Sequence, residues 1–258
     1  MPNRRSRPNL NDASTAFAIL AALLALLGGT IILTGYLLDI PALRGMLRGW
    51  APMKPNTALC FILNGLALLL SQIPSVRFDR NKAARTGWSG FLALLLMLPI
   101  LVCLLTLGEY LFAGNLQIDA LLINERLAPP GNPGAFRMAP ESAISHILLA
   151  VAIWLNMHPS LARRRVMVSA FLSVMVVALA VSAMSTYFSP VLGMFGWFGL
   201  SVMAGDTAIL FMLLGTASFL IVCRQKTFSW ELGKTTTTGF ALGTVLLVII
   251  GITAIRSQ

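Results

Sequence analysis

The chain has 258 residues, of which 57% are hydrophobic and 11% charged, with a mean hydropathy of +0.82 and a net charge of +10. Soluble domains carry about 25% charged residues, so an ordinary water-soluble domain is excluded and the chain reads as a polytopic membrane protein. The basic excess sits between long apolar runs, which points to the positive-inside bias and anionic lipid and away from nucleic acid.

Residues 1–15 are polar and basic, with Arg4, Arg5 and Arg7, and are expected to form a disordered cytoplasmic tail. Seven apolar runs follow, at approximately 16–38, 56–73, 89–113, 140–157, 166–187, 204–223 and 236–255. Each approaches the roughly 20 residues a spanning helix needs. The first is too long for a signal-peptide core and reads as a retained anchor. The outer loop Asp39–Pro52 carries Leu43, Met46, Leu47 and Trp50 with Arg44 and Arg48, the pattern of a short amphipathic segment lying on the membrane. With the N-terminus inside, thirteen of the nineteen Lys and Arg residues fall in cytoplasmic segments, among them Arg77, Arg80, Lys82, Arg85, Arg163, Arg164 and Arg165. The acids Asp39, Glu109, Asp119, Glu125, Glu141 and Asp206 fall outside or at outer helix ends. The seventh run then ends on the outer face, which suggests that the chain continues or hands over to something beyond the membrane. The expected divisions are a tail at 1–15, a repeat domain at 16–223, and a linker with the seventh helix at 224–258.

One unit is written three times. Met53–Leu70, Met138–Leu155 and Met203–Leu220 align without gaps. They share Met, then Pro or Gly, then Asn, Glu or Asp, then Thr or Ser, then Ala, with a small residue at Gly65, Ala150 and Gly215. The start reads as a helix N-terminus: a turn residue (Pro55, Pro140, Gly205), then a capping side chain (Asn56, Asp206, and Glu141 as the weaker cap). The protein's three tyrosines, Tyr36, Tyr110 and Tyr187, close the odd-numbered runs. An interfacial aromatic belt would place them there too, but with the Met motif they extend the repeat to a whole helical hairpin. The expectation is an all-α membrane bundle of seven helices, three hairpin repeats plus a seventh helix, N-in and C-out.

These motifs carry a resemblance. MKPNTALCFILNGLALLL, GEYLFAGNLQIDALL with the later Arg137-Met138-Ala139-Pro140, and the Asp206-Thr207-Ala208 copy are similar to the N-terminal membrane module of bacterial histidine kinases and diguanylate cyclases. The resemblance covers about residues 16–255. It implies a sensory input module of the bacterial inner membrane, with the last helix leading to a periplasmic sensory domain and then to cytoplasmic signalling domains in cis. It also implies a homodimer. The chain departs from the family in containing no kinase, cyclase or receiver segment, and the resemblance supplies no ligand.

The candidate sensing residues follow from depth and charge. Asn56, Thr57, Glu141, Ser142, Asp206 and Thr207 would stand at one level as a polar ring at the outer end of the bundle, with three helix N-termini behind them. Singly, each is explained by capping. Glu109, followed by Tyr110, is a carboxylate at the end of a membrane run, which makes it a functional candidate. His146 stands where the other copies carry Phe61 and Phe211, one turn beyond Ser142. It could pair with a carboxylate, sense pH or ligate a haem or a metal, and the bland alternative, preferred over a metal, is a hydrogen-bonded core histidine. His158 lies about 18 Å away by helix rise, so the two cannot ligate one iron. Cys60, Cys103 and Cys223 read as buried apolar residues with no CxxC and no metal role. No G-x-S-x-G, H-E-x-x-H or P-loop is present, so no catalytic residue is expected, and no cofactor beyond the haem option. The expected function is sensing of a small apolar or amphipathic ligand, a lipid or quinone, or membrane state. The alternatives are a small transporter or channel and a haem-binding electron carrier.

Overall fold

The computed structural model describes residues 10–45, 50–73, 82–112, 116, 118, 136–157, 163–188 and 202–224. These residues form six α-helices and one short 3-10 turn, with no strand among them. The helices are α1 (Leu10–Leu37), α2 (Pro55–Ser71), α3 (Lys82–Leu111), α4 (Pro140–Met157), α5 (Arg163–Ser185) and α6 (Gly205–Cys223); the turn is Pro41–Leu43. Five of them contain stretches long and apolar enough to cross a membrane: 25 residues in α1, 24 in α3, 18 in α4, 22 in α5 and 19 in α6. That is the character of a membrane protein. The sixth, α2, has 17 residues, about 26 Å at 1.5 Å per residue, slightly short of a bilayer core of about 30 Å. The run at 236–255, the loop with Asp119 and Glu125, and His158 lie outside the described residues. Helix α1 starts at Leu10, inside the stretch expected to be disordered tail.

The helices close into a ring: each contacts the next, α6 contacts α1, and α4 also contacts both α2 and α6. The even helices sit inside and the odd ones outside. Large exposed apolar side chains crowd the odd helices, such as Leu20, Leu27, Leu94, Met97, Leu101 and Phe171, whereas the even helices expose only Ile209. Water would penalise such faces by about 25 cal/mol per Å²; lipid tails would not.

The repeated residues have repeated jobs. The Tyr36 hydroxyl donates to the Met53 carbonyl at 3.0 Å, Tyr110 to Met138 at 3.1 Å and Tyr187 to Met203 at 2.8 Å. All three methionines are fully buried. The small residue near mid-helix lets the partners close up. A Cβ on Gly65 would stand 3.0 Å from the Ala22 carbonyl oxygen, and one on Gly215 3.2 Å from that of Ser173. Ala22 and Ser173 each lie fourteen residues ahead of their hairpin's tyrosine, so the same contact recurs in both hairpins.

One expectation is corrected. Asn56 and Asp206 are not N-caps. Pro55 and Gly205 are the first helical residues, and the caps are Lys54 and Ala204, neither with a side-chain capping bond. Helix α4 likewise starts on Pro140, which puts Glu141 inside its first turn. Proline suits that first position because its fixed φ is helical and its missing N–H would have had no partner there. Of the segment expected to lie on the membrane, Met46, Leu47 and Arg48 fall outside the described residues; Trp50 stacks on Tyr187 with ring centroids 4.6 Å apart and planes 23° apart. A Cβ on Gly205 would come within 1.7 Å of the Trp50 ring, which explains why the third copy carries glycine where the other two have proline.

Candidate functional site

The first turns of α2, α4 and α6 bury Asn56, Thr57, Glu141, Ser142, Asp206 and Thr207, each no more than 5% exposed. Glu141 crosses between hairpins: its Oε1 accepts the Met203 backbone N–H at 2.8 Å, and its Oε2 is buried without a hydrogen-bond partner. Asp206 Oδ1 accepts the Thr207 N–H at 2.9 Å. This satisfies one of the free donors that every helix N-terminus leaves. Asp206 also lies within electrostatic reach of the Tyr36 and Tyr187 phenols. Burial first, and Asp206 second, push the Tyr187 phenol above the ordinary tyrosine range.

Deeper along the same helices, three side chains from equivalent positions meet. The ring centroids of Phe61, His146 and Phe211 are 4.6 Å (Phe61–His146), 4.7 Å (Phe61–Phe211) and 4.6 Å (His146–Phe211) apart. They fill the space between the even helices. The Asn64 Nδ2 lies 3.1 Å from His146 Nδ1; an amide can only donate there, so Nδ1 accepts and the ring proton belongs on Nε2. Nε2 has no hydrogen-bond partner, although the Thr57 backbone is within electrostatic reach. Asn64 stands where the other copies carry Leu149 and Leu214. Two polar departures from the repeat, His146 and Asn64, therefore meet across the seam between α2 and α4. A haem iron would need an open approach to Nε2. The imidazole is wholly buried, with Phe61 and Phe211 against it, so the residues do not fit that group.

Glu109 and Tyr110 form a separate clasp at the C-terminal end of α3. Glu109 is 1% exposed. Its Oε1 accepts the Leu116 N–H at 2.7 Å and its Oε2 faces the Arg137 Nε at 3.3 Å. The Arg137 guanidinium lies over the Tyr110 ring at 5.2 Å. Arg44 lies over Tyr36 at the same distance, ion-paired to Asp39, and Trp50 covers Tyr187. Each of the three tyrosines thus carries a flat partner, supplied by three different residues.

Sequence reasoning missed Asn64, Arg137 and Trp50. It also missed a polar network within the lipid-spanning region. There, Asn156 donates to Ser218 Oγ at 3.0 Å, Ser169 Oγ donates to Asn156 Oδ1 at 2.8 Å, and Ser173 Oγ donates to Ser218 Oγ at 2.9 Å. At the far end of the bundle, Arg224 bonds Thr15 at 2.6 Å and Gln72 at 3.3 Å, tying α1, α2 and α6 together. Asn64 and Ser218 were detectable, each as the one polar residue in an aligned apolar column, the first with Leu149 and Leu214 and the second with Leu68 and Ile153; Arg137 and Trp50 had no repeat signal to betray them. Among the described residues no three His, Cys, Asp or Glu side chains are grouped to hold a metal. No family model, no curated protein and no solved structure matches the chain.

Proposed function

We propose that the chain is the membrane-embedded input module of a bacterial signalling protein, a histidine kinase or diguanylate cyclase, set N-in in the inner membrane. Three hairpins related by repetition, and a seventh helix at 236–255 that emerges on the periplasmic side, make up the module. It works as a homodimer with cytoplasmic signalling domains in cis. A small apolar or amphipathic molecule, a lipid or quinone, or the state of the membrane biases the packing of the hairpins at their periplasmic ends. The observation that carries this reading is the Glu141–Met203 bond between hairpins, made by a buried carboxylate whose second oxygen is unpartnered. Such a group makes the seam between the second and third hairpins sensitive to whatever enters or protonates it. A transporter or channel is less well supported, because Phe61, His146 and Phe211 fill the middle of the bundle.

The test is the message beyond codon 258. A kinase or cyclase frame continuous with this one is the expected result, and a stop codon there overturns the reading. Reporter fusions in loop 74–81 and after residue 258 test the orientation. The first should report cytoplasm and the second periplasm.

A further inference from the structure

Three sulfur atoms meet in the seam between the first and second hairpins. Cys60 comes from α2, Cys103 from α3 and Met138 from the segment entering α4. All three are fully buried and, with Ala143, form a cluster of their own. Cys103 Sγ lies 3.9 Å from Met138 Sδ, and Cys60 packs in the same cluster with them. In the repeat, the positions equivalent to this trio hold Ser145, Ala180 and Met203 in one case, and Leu210, Gly29 and Met53 in the other. Packing therefore asks only for small or apolar groups there, and it is met without a thiol twice over.

Thiolate and thioether donors select soft ions, copper(I) foremost. An ion bonded at about 2.3 Å to three sulfurs in a plane holds them about 4 Å apart, the separation Cys103 and Met138 already have. We propose that Cys60, Cys103 and Met138 form a binding site for one soft monovalent ion of the copper(I) type. The ion bonds one cysteine sulfur as that S–H bond breaks, and the proton leaves to water; no electron is transferred. The second thiol and the thioether donate lone pairs without changing charge. Cation and thiolate then sum to zero, which an apolar interior requires of any buried ion. Met138 also supplies the carbonyl that Tyr110 holds, so an ion on its sulfur bears on that contact. The site uses none of the polar first-turn residues and its occupancy is read directly, so it stands or falls apart from the signalling reading.

The test is an anaerobic titration of the reduced full chain in detergent with copper(I), competed by a chromophoric chelator and repeated with silver(I). The expected result is one ion bound and one proton released per chain, with sulfur neighbours at about 2.3 Å in X-ray absorption. Cys60→Ser and Cys103→Ala introduce the residues that the repeat itself uses at Ser145 and Ala180, so the fold should survive. Each should weaken binding more than about a hundredfold, beyond what loss of an outer-shell partner does. Cys223→Ser should change nothing. The proposal is overturned by absence of stoichiometric binding, by binding that persists in the Cys60→Ser/Cys103→Ala pair, or by an intact mass showing the two thiols joined as a disulfide. If Cys103→Ala fails to insert, Cys60→Ser alone decides.

Discussion

Two residues, His146 and Asn64, show how a polar pair enters an apolar interior. Asn64→Leu strands the His146 Nδ1, and His146→Phe strands the Asn64 amide; a buried orphan of this kind costs about 1–3 kcal/mol. Making both changes restores the leucine and phenylalanine of the other copies. The double variant should then regain most of the loss, as measured by thermal unfolding in detergent, and additive losses would dismiss the pairing. Gly205→Ala tests a different constraint. Its Cβ would overlap the Trp50 ring, so the variant should lose the Trp50–Tyr187 stack and about 1–3 kcal/mol from overpacking. Trp50→Ala in the same chain should remove most of that second loss, and a Trp50-independent penalty would refute the explanation. Tyr187 supplies a pH test. Its folded pKa lies above the unfolded value of about 10. The stabilisation is therefore complete below about pH 10 and fades as pH rises through the folded value. Its tyrosinate absorbance should develop later than that of free tyrosine, and an ordinary titration would contradict the burial.

At the scale of elements, the tyrosine latches and the small-residue contacts carry the hairpins. Interhelical hydrogen bonds in membranes average about 0.6 kcal/mol, so Tyr36→Phe or Tyr110→Phe alone should lower stability by less than about 1 kcal/mol. Close packing matters more. Gly65→Leu drives a side chain into Ala22 and Ala25 and should cost more than either tyrosine change, a ranking that chemical unfolding can check. The recurrence of Tyr, Met and the small residue was legible by aligning the chain with itself. Their connection was not, because a phenol meets a main-chain carbonyl and sequence carries no mark for such an acceptor. The caps were displaced by two residues, from Asn56 to Lys54 and from Asp206 to Ala204, because proline or glycine reads equally well as a turn before a helix or as its first residue. The reason for Gly205 was hidden for another cause: the ring that requires it belongs to a different hairpin.

At the scale of the molecule, the apolar surface of the odd helices and the polar contents of the even ones divide the work between lipid and interior. Of the first, hydropathy revealed that the runs cross lipid, but not that the odd ones face it. The second needed three dimensions, since Glu141 reaches Met203 and Glu109 reaches Arg137 across stretches that periodicity does not connect. Glu141→Gln keeps an acceptor for the Met203 N–H and should leave stability nearly unchanged. Glu141→Ala strands that donor and should loosen the contact between α4 and α6. Faster hydrogen exchange at Met203 in the alanine variant alone is the expected result. Equal exchange in both variants would show that the carboxamide fails to replace the carboxylate, or that the bond does not hold the seam.

The tyrosine latches have one more consequence. Each closes on a backbone oxygen, an acceptor every amino acid offers, and the stretches between donor and acceptor differ in length, with sequence separations of 17, 28 and 16 residues. The clasp is therefore indifferent to what is threaded through it. In the longest of the three connections Leu116 and Arg137 are themselves held by Glu109, so an epitope or a small fluorescent domain grafted between those two residues keeps both contacts and gives a label for following this protein in living cells.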